Sequence, residues 1–336
     1  MQRTALSRAD QIARDLVVHL RGALGEPALE LAEPLAAVGG GFDTEIYTVR
    51  LRSAPPAWGG PLVLRLLRSH HDPAMVLREQ AAQNTVADLG YPAPRVRVAS
   101  VDPAPLGAPF LIMERMPGRP LTARPLGMAG AVCHAQLWLH GLDPTPLGRA
   151  LGATATFDGY LDTLDRRIAQ ASLEGLSGLM AWLREQRPPS MPPVICHGDL
   201  HPQNILTDGP ALSGVLDWPN VLVAEPAFDV AATYLILRFV PVELAAVQGG
   251  LAWLMRVGQP IMAARYLAGY RRRRPIDRRR LAYYEVAASM RALVRAGARR
   301  AVSDPEPSAL DRSPFAERLL AHANHISGVS ATLPPP

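Results

Sequence analysis

The chain of 336 residues contains no lysine: all 35 of its basic residues are arginine. No single activity would remove every lysine, so the absence reads as a bias of codon usage. It still has a chemical consequence, because any task that commonly needs a lysine must fall to the bulkier, planar guanidinium. Cysteine is scarce as well. Cys133 and Cys196 stand in apolar surroundings and are too few for a disulfide framework. No run of about 18 uninterrupted apolar residues exists. The most apolar region, 221–266, is broken by Glu225, Asp229, Arg238, Glu243 and Arg256, which argues against a membrane span. The first residues, with Arg3, Arg8, Asp10, Arg14 and Asp15, lack the apolar core of a signal peptide. Together these absences point to a cytoplasmic protein.

What is present fits a soluble globular chain, 48% apolar and 19% charged. Its length suits two lobes better than one ordinary core. The charge is uneven. Residues 1–217 carry 19 arginines against 21 acidic residues, and residues 218–336 carry 16 against 9. Arg271 to Arg274 and Arg278 to Arg280 supply seven of the later arginines. Such a cluster could touch nucleic acid or acidic headgroups. Few aromatics interleave with it, as a single-strand groove requires. Beside Pro275 it reads more simply as a solvated helix end, so neither nucleic acid nor membrane insertion is expected.

Apolar residues at 12, 13, 16, 17 and 20 predict a helix over 8–24 with Gly25 as its stop. Val38-Gly39-Gly40-Gly41 leads into a β-type run over 45–51, and 61–67 reads as the next strand. Asp72-Pro73 signals a helix start, aspartate as cap and proline in the first turn, with the helix running to about Leu89. Two more strands, 95–100 and 110–113, complete a β-rich first part that Pro117-Gly118 ends. From about Gly127 the pattern is helical, interrupted by a short β section over 194–217.

The informative segment is His197-Gly198-Asp199-Leu200-His201-Pro202-Gln203-Asn204-Ile205-Leu206, followed by Leu216-Asp217-Trp218. An apolar strand delivers Asp199 to a loop that Pro202 keeps irregular. Asn204 is expected to open a strand that turns at Asp208-Gly209-Pro210 and returns to Asp217. With the turn centred between 210 and 211, Asn204 and Asp217 would oppose each other on one face. An amide oxygen and a carboxylate converging there suit a hard cation such as magnesium. Asp199 is then left to receive or orient a hydroxyl proton, the division of labour phosphoryl transfer requires.

These motifs resemble the signature of the aminoglycoside phosphotransferase and choline kinase-like family. Six positions match (His197, Gly198, Asp199, Asn204, Asp217 and Trp218), and chance gives on the order of 10⁻⁸ per start point. The resemblance implies an α+β, bilobal protein-kinase-like fold with a β-rich N-terminal lobe and a mainly helical C-terminal lobe. Residues 1–117 would form the nucleotide-binding lobe with its leading helix, and 118–301 the helical lobe with catalytic loop and acceptor site. Residues 302–336 read as a loosely held tail.

The resemblance also implies roles. Asp199 would be the catalytic base, and Asn204 and Asp217 would bind Mg2+. Gly39, Gly40 and Gly41 would form a short turn over the nucleotide, ATP or GTP. Arg65 would take the position where the family has lysine or arginine on the α- and β-phosphates, with Arg68 as the fallback and Glu79 as the ion-pair partner. Phe110 to Gly118 resembles the family's hinge, where the backbone of Glu114 and Met116 would hold adenine. His197, His140 and Asp229 would be structural.

The expected activity is therefore a small-molecule kinase acting on a hydroxyl. Polycationic aminoglycosides need clustered carboxylates, and the deficit of acidic residues after Asp217 disfavours them as acceptors. An apolar or neutral hydroxylated compound is preferred. Two other classes stay open: a nucleotide-binding protein with little transferase activity, and an arginine-mediated polyanion binder.

Overall fold

Ile12, Leu16 and Leu20 recur every four residues, a spacing that stacks them on one side of a helix. In the computed structural model, which describes residues 7–38, 44–68, 72–123, 127–240, 250–301, 310 and 313–335, they are buried in α1 (Arg8–Leu24). Ser7 caps that helix through the Asp10 amide, and Gly25 ends it in the left-handed conformation at φ 68°. The chain divides into two units. The first comprises Met1–Gly118 and Ser213–Pro219, the second Arg119–Leu212 and Asn220–Pro336.

The first unit continues with β1 (Glu30–Leu31), β2 (Ala36–Ala37), β3 (Thr44–Val49), β4 (Leu51–Arg52), β5 (Leu62–Leu67), α2 (Met75–Asp88), β6 (Val96–Ser100) and β7 (Phe110–Glu114). Five of these strands form an antiparallel sheet in the order β2-β3-β5-β7-β6. Side chains alternate across a strand, so β5 serves two cores at once. Leu62, Leu64 and Leu66 pack with Ile12, Leu16 and Leu20 of α1 and with Phe110 and Ile112. Leu67 and the half-buried Val63 join Val76 of α2, Leu111 and Met113 on the other face. By parity Arg65 belongs to the second set, and the pattern that builds the core also aims a cation toward α2.

The start of α2 differs from the expectation. Asp72 Oδ1 accepts from the Ala74 amide at 2.9 Å, which closes a local turn around Pro73 and delays the helix to Met75. The returning segment 213–219 is fastened within the first unit. Ser213 Oγ donates to the Pro117 carbonyl (2.7 Å), and the Val215 amide donates to Pro92 (2.7 Å). Trp218, fully buried, lies edge-on to Tyr91 at 5.6 Å.

The second unit contains β8 (Arg119–Pro120), α3 (Met128–Leu139), α4 (Thr145–Leu151), α5 (Phe157–Gln170), α6 (Ser177–Glu185), β9 (Val194–Cys196) and β10 (Ile205–Asp208). β11 (Ala211–Val215) begins in this unit and ends in the first. There follow β12 (Leu222–Ala224), α7 (Pro226–Phe239), α8 (Gly250–Arg273), α9 (Arg278–Ala301) and α10 (Phe315–Ser327). β9 pairs antiparallel with β12, and β10 with β8. α9 packs against α5, α7 and α10 around Phe157, Phe228, Tyr283 and Tyr284.

Part of the expected loose tail is instead docked. Phe315, Leu319 and Ala323 recur at helical spacing and are buried in α10. Asn324 then holds both the backbone N–H and the carbonyl of Ala331, and the Thr332 amide donates to the Gly175 carbonyl at 3.0 Å. Among the described residues no helix is long and apolar enough to cross a membrane. Both cysteines are free and buried.

Candidate active site

Arg65, on β5, extends beneath α2. Its guanidinium pairs through Nη2 with Glu79 Oε2 and reaches Asp217 Oδ1 through Nη1 at 3.4 Å. Glu79 is 1% exposed, and its second oxygen accepts from Gln83 Nε2 at 2.9 Å. The Asp217 side chain is far more open, at 43%. Asp217 has φ 67°, a left-handed conformation that a side chain rarely adopts. All of these residues lie in the first unit, so one cation there is flanked by one buried and one accessible carboxylate.

The electrostatics follow from that burial. Burial pushes the Glu79 carboxyl up to about 7, with Arg65 opposing the rise and Asp217 adding to it. Burial works against the Arg65 charge too, but Glu79 and Asp217 outweigh it and hold the guanidinium above its ordinary range. A carboxyl raised from 4.5 to about 7 binds its proton more tightly in the folded chain than in the unfolded one. Its contribution to stability is complete below pH 4.5 and is lost as the pH rises through about 7. Urea unfolding of the native chain and of Glu79→Gln between those limits should therefore diverge. The native chain should lose up to roughly 3 kcal/mol relative to the variant as the pH rises. Parallel stability curves across the range would contradict this.

The second unit carries the aspartate loop. Strand β9 ends at Cys196, and the buried His197 accepts from the Asp199 amide through Nδ1 at 3.3 Å. Gly198 has φ 74°, and a Cβ there would lie 2.5 Å from the Asn220 carbonyl oxygen, so only glycine fits. Its amide donates to Asp229 Oδ1 at 2.7 Å, and its carbonyl accepts from Arg291 Nη2 at 2.6 Å. Asp199 is thereby presented with its side chain 27% exposed, and Asn220 Nδ2 lies 3.4 Å from its Oδ2.

Asp229 anchors this loop from a buried network. His140 Nε2 and Gln136 Nε2 both lie 2.9 Å from its Oδ2, and Tyr270 lies 2.7 Å from His140 Nδ1. Burial alone would raise the Asp229 carboxyl. The hydrogen bond and charge of His140, with Gln136 and the Gly198 amide, overcome it and hold the group below its ordinary range. His140, Cys196 and Asp229 place one ligand atom each within 4.8 Å of one another. Both nitrogens of His140 and both oxygens of Asp229 are already engaged, so this cluster braces the loop.

Asn204 and Asp217 do not oppose each other inside a ladder, as the sequence suggested. β10 starts at Ile205 and β11 stops at Val215, which leaves both residues outside the strands. Asn204 closes a turn through its amide to the His201 carbonyl at 2.9 Å, and the backbone of Asp217 is left-handed. Asn204 belongs to the second unit and Asp217 to the first. Gly39, Gly40 and Gly41 lie outside the described residues. Arg68 is exposed. The Glu114 amide donates to Arg95 at 2.9 Å and its carboxylate pairs with Arg97 Nη2 at 2.5 Å, while the Met116 amide makes no hydrogen bond among the described residues.

Sequence reasoning missed Arg291 altogether. It lies 93 residues beyond the glycine it holds, and nothing in the local pattern marks it. Two arginines of the basic cluster turn inward: Arg274 Nη1 donates to the His140 carbonyl at 3.2 Å, and Arg280 pairs with Glu225.

The chain is similar to known proteins. The family model described as the phosphotransferase enzyme family matches residues 35–284. The chain is 28% identical over 212 residues to the aminoglycoside 3'-phosphotransferase of Streptomyces fradiae, covering 59% of this chain and 72% of that protein. It is 28% identical over 221 residues to acyl-CoA dehydrogenase family member 11 of Rattus norvegicus, covering 60% of this chain. The match spans only 28% of the rat protein's length. The structure of a thermostable mutant of aminoglycoside phosphotransferase APH(4)-Ia, in complex with AMP-PNP and hygromycin B, superposes with a TM-score of 0.59 at 17% identity. That superposition covers 94% of this chain and 98% of the other. At such identity the likeness shows the fold, which is the bilobal protein-kinase-like one. With some three quarters of its length matched by the family model, the chain belongs to the phosphotransferase enzyme family.

Proposed function

We propose that this protein is a magnesium-dependent kinase that transfers the γ-phosphate of ATP to a hydroxyl of a small molecule. The observation that carries the reading is the aspartate loop. A glycine with no room for a side chain is held at both its amide and its carbonyl, so that the next residue, Asp199, is presented partly exposed. In the reaction the acceptor oxygen bonds to the γ-phosphorus, the bridging bond to ADP breaks, and Asp199 takes the hydroxyl proton. Arg65, steadied by Glu79, would meet the α- and β-phosphates. Backbone groups of Glu114 and Met116 would hold adenine, and Gly39, Gly40 and Gly41 would cover the phosphates.

Asn204 and Asp217 would hold magnesium, and their chemistry fits a hard cation. Asn204 Nδ2 is committed to the Asp199 carbonyl at 3.1 Å, which leaves its amide oxygen as the available donor atom. Asp217 is the more open of the two carboxylates at Arg65. When bound, the ion would neutralise charge on the phosphates. Asn204→Ala and Asp217→Ala should each raise the magnesium concentration for half-maximal turnover at least about tenfold. Magnesium titrations of ATP turnover that superpose with the native curve would remove these residues from the role.

A polycationic acceptor is disfavoured. Of the nine carboxylates after Asp217, Glu225, Asp229, Asp277, Glu285 and Glu317 lie in described residues. All five are engaged, by Arg280, His140, the Arg279 and Arg280 amides, His322 and Arg300 respectively. Among the described residues after Asp217, none is left over for ammonium groups. Fast phosphorylation of kanamycin-like compounds in a radiolabelled-ATP screen, with none of uncharged or acidic alcohols, would reverse this.

A further inference from the structure

Asp199 shares its loop with a cation that the proposed chemistry does not use. Arg291, on α9, donates through Nη2 to the Gly198 carbonyl at 2.6 Å, and the same nitrogen lies 3.9 Å from Asp199 Oδ1. The second distance is too long for a hydrogen bond, and a committed arginine–carboxylate pair would be about 1 Å closer. The guanidinium is therefore held by the backbone and not consumed by the aspartate. It has five N–H groups, and among the described residues only the bond to Gly198 uses one. Its side chain is 28% exposed, close to the 27% of Asp199. Holding a carbonyl needs only a neutral donor, so the anchoring bond does not account for the charge.

We propose that Arg291 selects the acceptor, favouring a hydroxyl compound that carries an anionic group, carboxylate or phosphate, beside the hydroxyl that reacts. The proposal rests on the kinase reading of Asp199 and refines it. A hydroxyl placed at Asp199 Oδ1 puts its neighbouring substituent within reach of the fixed guanidinium. An ammonium there meets like charge, a neutral group gains little, and a carboxylate or phosphate finds paired N–H donors. This replaces the preference for a neutral acceptor drawn from composition, which could not place a cation 92 positions downstream beside the aspartate.

The test uses the full chain and three probes differing in one substituent: glycerol, D-glycerate and sn-glycerol 3-phosphate. Binding is read without nucleotide, from the NMR signals of the Gly198 and Asp199 amides and the Arg291 Nε–H. At least one anion should bind about tenfold or more tighter than glycerol, and the two anionic arms separate carboxylate from phosphate recognition. Arg291→Gln keeps a donor for the Gly198 carbonyl but removes the charge, and should abolish the preference. Arg291→Lys should retain part of it. Equal affinity for all three probes, or a preference that survives in a folded Arg291→Gln, overturns the proposal. Phosphoryl transfer is assayed separately. Charge-dependent binding with no transfer to any hydroxyl would overturn the kinase reading alone. Transfer in which Arg291→Gln leaves the ratio of kcat/KM for anionic over neutral acceptors unchanged would overturn the acceptor proposal alone.

Discussion

Replacing Asp199 with alanine is expected to lower magnesium-dependent ATP turnover at least about a hundredfold, the usual scale for removing a general base. The substitution isolates chemistry from architecture. The loop is held by the Gly198 amide and carbonyl and by the bond from the Asp199 amide to His197, none of which involves the deleted carboxylate. Thermal melting should therefore move little, and the KM for ATP should stay near its native value, because Asp199 has no part in holding the nucleotide. A rate within tenfold of native would show that the aspartate takes no proton in the slow step. A large rise in the KM for ATP with an unchanged maximal rate would move the residue to a binding role.

The second large effect is on stability. At pH 8, where Glu79 is ionised, Glu79→Ala should destabilise the fold by about 3–5 kcal/mol, the range for leaving one member of a buried ion pair unpaired. The guanidinium of Arg65 cannot shed its charge, and once Glu79 is gone its remaining partner is Asp217, 3.4 Å away and largely open to solvent. Arg65→Met should cost less below neutral pH. Glu79 is already raised to about 7 and can take up a proton when its partner is lost, whereas arginine has no such escape. Urea denaturation of Glu79→Ala at pH 8 and of Arg65→Met at pH 6, each against the native chain, distinguishes them. Equal losses would mean that neither charge is desolvated in the way the burial of Glu79 implies.

Legibility in the sequence followed the range of the interactions. Helix α1 could be read almost to the residue, because its cap, its four-residue apolar spacing and its terminal glycine all lie within one stretch. The contact between Arg65 and Glu79 was implied by the family resemblance alone, and the structure supplies its local cause. Strand parity fixes the face of Arg65, and α2 follows the strand directly. Where two local signals competed, the reading slipped. Asp72 carries the signature of a helix cap, yet its carboxylate closes a turn at Ala74. The hairpin is shorter than the alternation predicts, because alternation alone does not reveal the left-handed backbone of Asp217 or the turn that Asn204 completes.

The docking of α10 went unread because a proline-rich ending suggested disorder and masked the spacing of Phe315, Leu319 and Ala323. Arg291 was invisible in principle. A contact between a guanidinium and a carbonyl 93 residues earlier leaves no periodicity, cap or motif behind. The braces around Asp229 were half legible: Asp229 and His140 were expected to be structural, but not that they meet, nor that Gln136 and Tyr270 join them.

The grip on Gly198 has a consequence for how the protein comes into being. Its two holdfasts arrive late in synthesis, 31 and 93 positions after the glycine has left the ribosome. A nascent chain that has emerged only as far as α8 has the aspartate but not the arginine that steadies its backbone. The loop's backbone is thus fully braced only once α9 has emerged and settled, and an interrupted or prematurely terminated product carries the signature motif without the arginine that steadies it.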